Sequence, residues 1–248
     1  MKVSIVIAIL ESYEVVRRQM LWFKKMNLPD DVEIIFVDDG SDPPIDFNCC
    51  ELKNFRHYRK NTEGMWTQPA ARNFGATQAK GKYLLLTDID HIVPRELIEV
   101  GRNPEYDVVR FKREAGVIDE NGDFTQDMAV LRSYGLLPER KLRLPPHGNS
   151  YLINKKLYLD LGGVSEQYVG TGKYPNREEV PLKQKLKRLL EQGKISICDD
   201  DKRPTIYMIP NGKYCGDKDY NPFGLFHNLT RSIRASRIRQ REWQNSQS

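Results

Sequence analysis

The chain opens on an almost uninterrupted apolar, β-branched run from Val3 to Leu10, the pattern of a strand covered on both faces as in a parallel sheet. Residues 13 to 26 change period. Val15, Val16, Met20 and Phe23 recur with charges between them, which predicts an amphipathic helix over Tyr13 to Met26. A second apolar run, Val32 to Val37, stops abruptly at Asp38-Asp39-Gly40-Ser41. Gln68 to Lys80 carries alanines at 70, 71, 76 and 79 around Phe74, small residues that let a helix press closely on a sheet, and Gly81 is expected to end it. Tyr83 to Thr87 is the next buried strand, and it too ends in acids, Asp88-Ile89-Asp90.

Beyond Pro94 the alternation weakens. Ala115 to Asp127 reads as a hairpin closed by Asn121-Gly122, a pair favoured where both turn residues need positive φ. Helices are expected over Lys155 to Leu161, ended by Gly162-Gly163, and over Pro181 to Gln192, ended by Gly193. The fold class predicted is α/β with a mostly parallel central sheet and a mixed α+β second half. In open sheets of this class ligands bind beyond the carboxyl ends of the strands. Leu10-Glu11, Asp38-Asp39 and Asp88-Asp90 should therefore face one crevice.

Two carboxylates at i and i+2 past a buried strand aim hard oxygen donors at one place, which suits Mg2+ or Mn2+ shared with phosphate oxygens. The competing reading is a turn in which the aspartates cap the next segment. His91 follows directly and is either a further ligand or a polar contact at the start of a loop.

Four elements in order shift that balance: Ser4-Ile5-Val6-Ile7-Ala8, Phe36-Val37-Asp38-Asp39-Gly40-Ser41, Ala71-Arg72-Asn73-Phe74-Gly75 and Leu86-Thr87-Asp88-Ile89-Asp90. Over about the first 95 residues the chain resembles the family 2 glycosyltransferases with the GT-A fold, a Rossmann-like fold for nucleotide-diphospho-sugar transfer. The resemblance implies a metal-dependent inverting transferase that moves a hexose or N-acetylhexosamine from a nucleotide-sugar donor, a uridine diphosphate sugar first, to a hydroxyl of a glycan or lipid-linked acceptor. It implies that Asp38 and Asp39 lie on the nucleotide pocket, with Asp39 on the base or ribose. Glu11 and the backbone of Ala8, Ile9 and Leu10 would form the wall. Asp90 would be the direct ligand of Mn2+ or Mg2+, and Asp88, beside Ile89, would touch ribose or a metal-bound water. Arg72, with Asn73, would open a helix beside that pocket; the alternative for Arg72 is a surface charge.

Family members often carry Gly-Gly-Phe-Asp-Glu, then Gly-x-Gly, then an acidic pair that supplies the general base. Here Gly162-Gly163-Val164-Ser165-Glu166 and Gly170-Thr171-Gly172 precede Glu178-Glu179, with five residues, 173 to 177, between glycines and acids. Glu179 is the first candidate for the base and Glu178 the second. The alternative is that both favour the positive N-terminal end of the helix that follows. A C-terminal histidine commonly completes the metal site, and His227 is the candidate, against a structural histidine. His147 and Trp66 are candidate pocket residues, the indole stacking on sugar or base unless it merely covers the core.

Composition trims these readings more than it adds. A chain of 248 residues with 39% hydrophobic content can bury one core, taken as a single catalytic domain over 1–243. Residues 1–95 would be its nucleotide-binding half, 96–243 its acceptor-side half, and 244–248 a disordered tail. No run reaches the roughly 20 apolar residues of a membrane span, and no small-residue cleavage site follows the first ten residues. Cytoplasm, including the inner membrane periphery, is the expected compartment. Cys49, Cys50, Cys198 and Cys215 match no zinc or redox spacing and are expected as reduced thiols. Arg231, Arg234, Arg237 and Arg241 recur on one side of a predicted C-terminal helix, able to meet nucleic acid or an anionic membrane surface, or simply to be solvated. The rival functions are a transferase acting on modified DNA, a nucleotide-sugar binding module without turnover, and a nucleotidyltransferase. The last is disfavoured because Ala8 to Ser12 has neither glycine nor lysine.

Overall fold

The computed structural model describes residues 1–49, 51–60, 67–137, 143–144, 148–167, 169, 178–199, 201–216 and 223–224. The first half runs β1 (Val3–Ile9), α1 (Tyr13–Met26), β2 (Val32–Asp38), β3 (Phe55–Arg59), α2 (Gln68–Gln78) and β4 (Tyr83–Asp88). β4, β1, β2 and β3 lie side by side and all parallel. Every residue of β1 and β2 is buried, which is why these strands read as continuous apolar runs rather than alternating ones. β1 sends Val3, Ile5, Ile7 and Ile9 to a core shared with Val15, Val16, Met20 and Phe23 of α1. Its alternate residues Val6 and Ala8 pack with Ala71 and Ala76 of α2 on the opposite face. The approach of α2 is close. A β-carbon on Gly75 would lie 2.6 Å from Val6 Cγ1 and 3.0 Å from Val37 Cγ2, so only glycine fits there.

The second half contributes β5 (His91–Ile92), α3 (Arg95–Arg102), β6 (Val108–Arg110), β7 (Lys112–Ala115), β8 (Val117–Ile118), β9 (Phe124–Thr125), α4 (Met128–Ser133), β10 (Arg143–Leu144), β11 (Tyr151–Asn154), α5 (Lys155–Asp160), α6 (Val180–Glu191), β12 (Ile197–Cys198) and β13 (Thr205–Met208). β11 joins β4 antiparallel and completes a seven-stranded sheet of order β12-β6-β11-β4-β1-β2-β3. β10, β7, β13 and β5 make a smaller sheet beside it. Among the described residues Cys49, Cys198 and Cys215 form no disulfide, and no helix is long and apolar enough to cross a membrane.

Several expectations need correction. The helix expected to reach Lys80 ends at Gln78, and Ala79 is already extended at ψ 142°. Gly81 is not its cap. A β-carbon there would come within 2.5 Å of Ser4 N, so this glycine lets the chain run tightly past β1. In the β8–β9 hairpin only Gly122 has positive φ, at 83°. Asp119 Oδ1 accepts from the backbone N–H groups of Asn121 and Asp123, holding the loop between Ile118 and Phe124 with one left-handed residue rather than two. The helices at 155 and 180 each lie within a residue of their expected bounds, with Gly162, Gly163 and Gly193 at positive φ. β3, α3 and the strands after β5, apart from the β8–β9 hairpin, carried no clear pattern in the sequence. Most span only two to four residues, too short for a period to register.

Candidate active site

Parallel pairing decides where the acids meet. Ala8 of β1 is level with Asp88 of β4, and Ile9 with Asp38 of β2, so the three strand ends share one edge of the sheet. The first two turns are knit together. The Glu11 backbone N–H, at φ 46°, donates to Ser41 Oγ at 2.9 Å, and the Asp39 N–H donates to the Ile9 carbonyl at 2.9 Å. Asp38 turns inward, accepting from Ser41 N at 2.8 Å and from Arg59 Nη1 at 3.0 Å. It therefore shapes the turn instead of presenting its carboxylate. Asp39 is buried as well and accepts from the hydroxyl of Thr67, the residue before α2. Ala8 and Ile9 put their side chains into the two cores, which leaves their backbone as the part able to line a pocket.

The Asp88-Ile89-Asp90-His91 turn is braced from three directions. Asp88 Oδ1 accepts from Gln68 Nε2 at 2.9 Å and pairs with the guanidinium of Arg72. Arg72 is 1% exposed, so the residue expected at an open pocket is instead the buried counter-ion of Asp88. Burial works to lower its pKa, but the charge of Asp88, with Tyr151, Tyr158 and Glu178 adding, outweighs it and the net shift is upward. From α1, Gln19 Nε2 donates to the carbonyls of Ile89 and His91 at 3.1 and 2.9 Å. Beyond β13, Ile209 N donates to the Asp90 carbonyl at 2.9 Å. His91 Nδ1 lies 3.0 Å from Asp90 Oδ1. One ligand atom each from Asp88, Asp90 and His91 fall within 4.8 Å of one another. Two carboxylate oxygens and an imidazole nitrogen suit Mn2+, which tolerates mixed donors, better than Mg2+, which prefers oxygen alone.

The acidic pair of the second half reaches the same neighbourhood. Glu178 is 4% exposed and accepts from Asn149 Nδ2 at 3.1 Å, while its carbonyl accepts from Ser165 N at 3.0 Å. Burial pushes its carboxyl pKa up, and the charge of Glu179 adds to that; Arg72 and Asn149 pull the other way. Glu179 stands at the N-cap of α6 without capping it, and its carboxylate instead meets Lys183 Nζ at 3.2 Å. Gly148 makes the room: a β-carbon there would lie 2.9 Å from Glu179 Oε1 and 2.5 Å from Lys183 Nζ. Near them Arg72 Nε, Asn149 Oδ1 and Tyr151 Oη are buried polar atoms with no hydrogen-bond partner among the described residues, and so are available to a ligand or water.

The sequence missed Thr67, Gln68, Asn149, Tyr151 and Asn211, whose Nδ2 donates to Asp90 Oδ2 at 3.4 Å. Thr67 and Gln68 could have been suspected from their place at the start of α2, but the others become visible only once β11 and the end of β13 are placed. Trp66, His147, His227, the Gly170-Thr171-Gly172 sequence and the arginines from Arg231 to Arg241 lie outside the described residues.

Residues 4–155 match the family described as Glycosyl transferase family 2. The chain belongs to that family. Among solved structures, the S. aureus TarS 1-349 crystal structure is 16% identical across 84% of this chain and 60% of its own, with a TM-score of 0.54. The same protein in complex with UDP-GlcNAc is 17% identical across 87% of this chain and 61% of its own, with a TM-score of 0.55. This family 2 chain thus spans about three-fifths of the TarS 1-349 chains it matches, and at such identity the likeness is one of fold. No curated protein sequence matches. The expected α/β fold of GT-A type with a mostly parallel central sheet is the fold of this glycosyltransferase-family chain.

Proposed function

We propose that this family 2 chain is a metal-dependent, inverting glycosyltransferase that moves a sugar from a nucleoside diphosphate donor to a hydroxyl acceptor. The observation that carries the reading is that Asp39, Asp88, Asp90 and His91 gather at the carboxyl ends of the parallel strands, where Arg72, the partner of Asp88, also acts on the charge of Glu178 from the second half. TarS in complex with UDP-GlcNAc makes UDP-sugars the first donors to test. Asp90 and His91, with Asp88 steadied by Arg72 and Gln68, would hold Mn2+ or Mg2+. When bound, the ion neutralises the charge that develops on the departing diphosphate.

The remaining chemistry belongs to the chain. Asp39 and Glu11, with the Ala8–Leu10 backbone, bind and orient the nucleoside. Glu179 accepts the acceptor's proton as its oxygen attacks the anomeric carbon from the side opposite the diphosphate. Glu178, buried and bonded to Asn149, fixes the loop that carries Glu179. A glycan or lipid-linked saccharide is the acceptor class.

The test is release of nucleoside diphosphate from a panel of nucleotide sugars with Mn2+, with a chelator and Asp90→Ala as controls. Hydrolysis of one donor, abolished in both controls, is expected. Calorimetry with UDP and Mn2+ runs beside it. Binding without turnover would replace the catalytic reading with a binding module, and absence of both would end the nucleotide-sugar assignment.

A further inference from the structure

Next to Arg72 on α2, the side chain of Asn73 makes four hydrogen bonds, all to the second half of the chain. Its Oδ1 accepts from Val164 N at 3.1 Å and from Tyr158 Oη at 2.6 Å. Its Nδ2 donates to the Val164 carbonyl at 2.9 Å and to Glu166 Oε1 at 2.7 Å. Asn73 thus satisfies both backbone groups of one residue, Val164, as a β-strand partner would. The turn is shaped to receive it. Gly163 sits at φ 66°, and a β-carbon there would lie 2.3 Å from Asn73 Oδ1.

From this bracket the connection continues in one step. Ser165, adjacent to Val164, donates its N–H to the Glu178 carbonyl at 3.0 Å. Glu178 and Glu179 therefore hang from α2 through Val164 and Ser165, while the neighbouring Arg72 of the same helix holds Asp88. We propose that Asn73 is a positioning residue that sets the acidic pair of the second half in register with the carboxylates of the first. The inference rests on the transferase reading above for its catalytic consequence and on the bracket alone for its structural one. Both Asn73→Asp and Asn73→Ala break it: the aspartate keeps the acceptor but loses the donor to Val164 and faces Glu166 with a like charge. A register error of about an ångström costs on the order of 100-fold in rate.

The experiment compares wild type, Asn73→Ala, Asn73→Asp, Gly163→Ala and the Asn73→Ala/Gly163→Ala double variant. Donor turnover should fall about 100-fold in Asn73→Ala, with donor KM and the Mn2+ requirement within about twofold, because β1, β2 and β4 are untouched. Gly163→Ala should reproduce that loss, and the double variant should be no worse than either single one, as expected for two lesions in one contact. Hydrogen exchange at the Val164 and Ser165 amides should accelerate at least about 10-fold in Asn73→Ala while β1 and β4 amides keep their protection. Tyr158→Phe removes the hydroxyl's bonds to Asn73 Oδ1 and Val164 N but leaves both Asn73–Val164 bonds, a milder lesion if the stronger variants fold poorly.

An equal rise in KM, additive losses in the double variant, or unchanged exchange at 164 and 165 would each overturn the positioning role. If wild type turns over no donor while the exchange effect is present, the structural bracket stands, and the catalytic part of the inference falls together with the transferase reading.

Discussion

The first and second halves of this chain solve the same problem differently. In the first half the backbone does the placing: three parallel strands end at one sheet edge, and Glu11, Asp39, Asp88 and Asp90 follow those ends within a few residues. In the second half side chains do it. Glu178 and Glu179 follow no strand, and they reach the site through Asn149, the Ser165–Glu178 backbone bond and the Asn73 bracket. A sheet edge is stiff and shared by many residues, whereas a bracket depends on two or three. Substitutions in the two halves should therefore fail in different ways.

The strongest test of that contrast is Asp90→Ala. Its side chain is 24% exposed, so loss of the carboxylate should lower donor turnover on the order of 10³-fold while the melting temperature moves by only a few degrees. A large drop in melting temperature would mean that the strand end is itself a bracket. Next comes Arg72→Leu, which leaves Asp88 without its buried counter-ion. Urea unfolding should show a loss of about 3 kcal/mol, the range for breaking a buried pair from one side.

Alanine at two glycines separates the halves most directly. Gly75→Ala drives a β-carbon into Val6 and Val37, core residues with nowhere to go, and should cost about 2 kcal/mol in the same unfolding measurement. Gly148→Ala meets the tips of Lys183 and Glu179, which can swing aside. Stability should hold within about 0.5 kcal/mol while turnover falls, since the side chain that moves is the proposed base. Equal stability losses at both positions would erase the distinction.

The smallest effect concerns Glu178. Burial raises its carboxyl pKa above the ordinary 4.5, so the folded protein holds this proton more tightly than the unfolded chain. The sign follows: the contribution to stability is complete below about pH 4.5 and is lost as pH rises through the folded value. Glu178→Gln should accordingly be more stable than wild type at neutral pH, with the difference closing as pH falls, read from melting curves over that range.

Much of the first half was legible in advance because buried parallel strands write themselves as long apolar runs. β1, β2, β4, α1 and the start of α2 have the expected bounds within about a residue, and the three acidic strand ends fall on one edge as the pattern implied. Asp38 and Arg72 show the limit of that reading. Both are polar residues in the right motif, yet each is turned toward a partner, Arg59 and Asp88, that lies 21 and 16 positions away. Periodicity reports which face is buried, not which charge is answered by which.

The second half resisted for a related reason. Its strands are two to four residues long, and β11, wedged between β4 and β6, is marked only by Tyr151-Leu152-Ile153. So the sequence alone determined the α/β class, the parallel sheet of the first half and the acids at its carboxyl edge. Tertiary structure decided that Asn149 meets Glu178 and Asn211 meets Asp90, that Arg72 serves Asp88, and that Asn73 ties one half to the other. Local pattern can dictate a strand and its end, because burial on two faces is a property of consecutive residues. A contact such as Asn73 with Val164, spanning 91 positions, exists only after the chain has closed on itself.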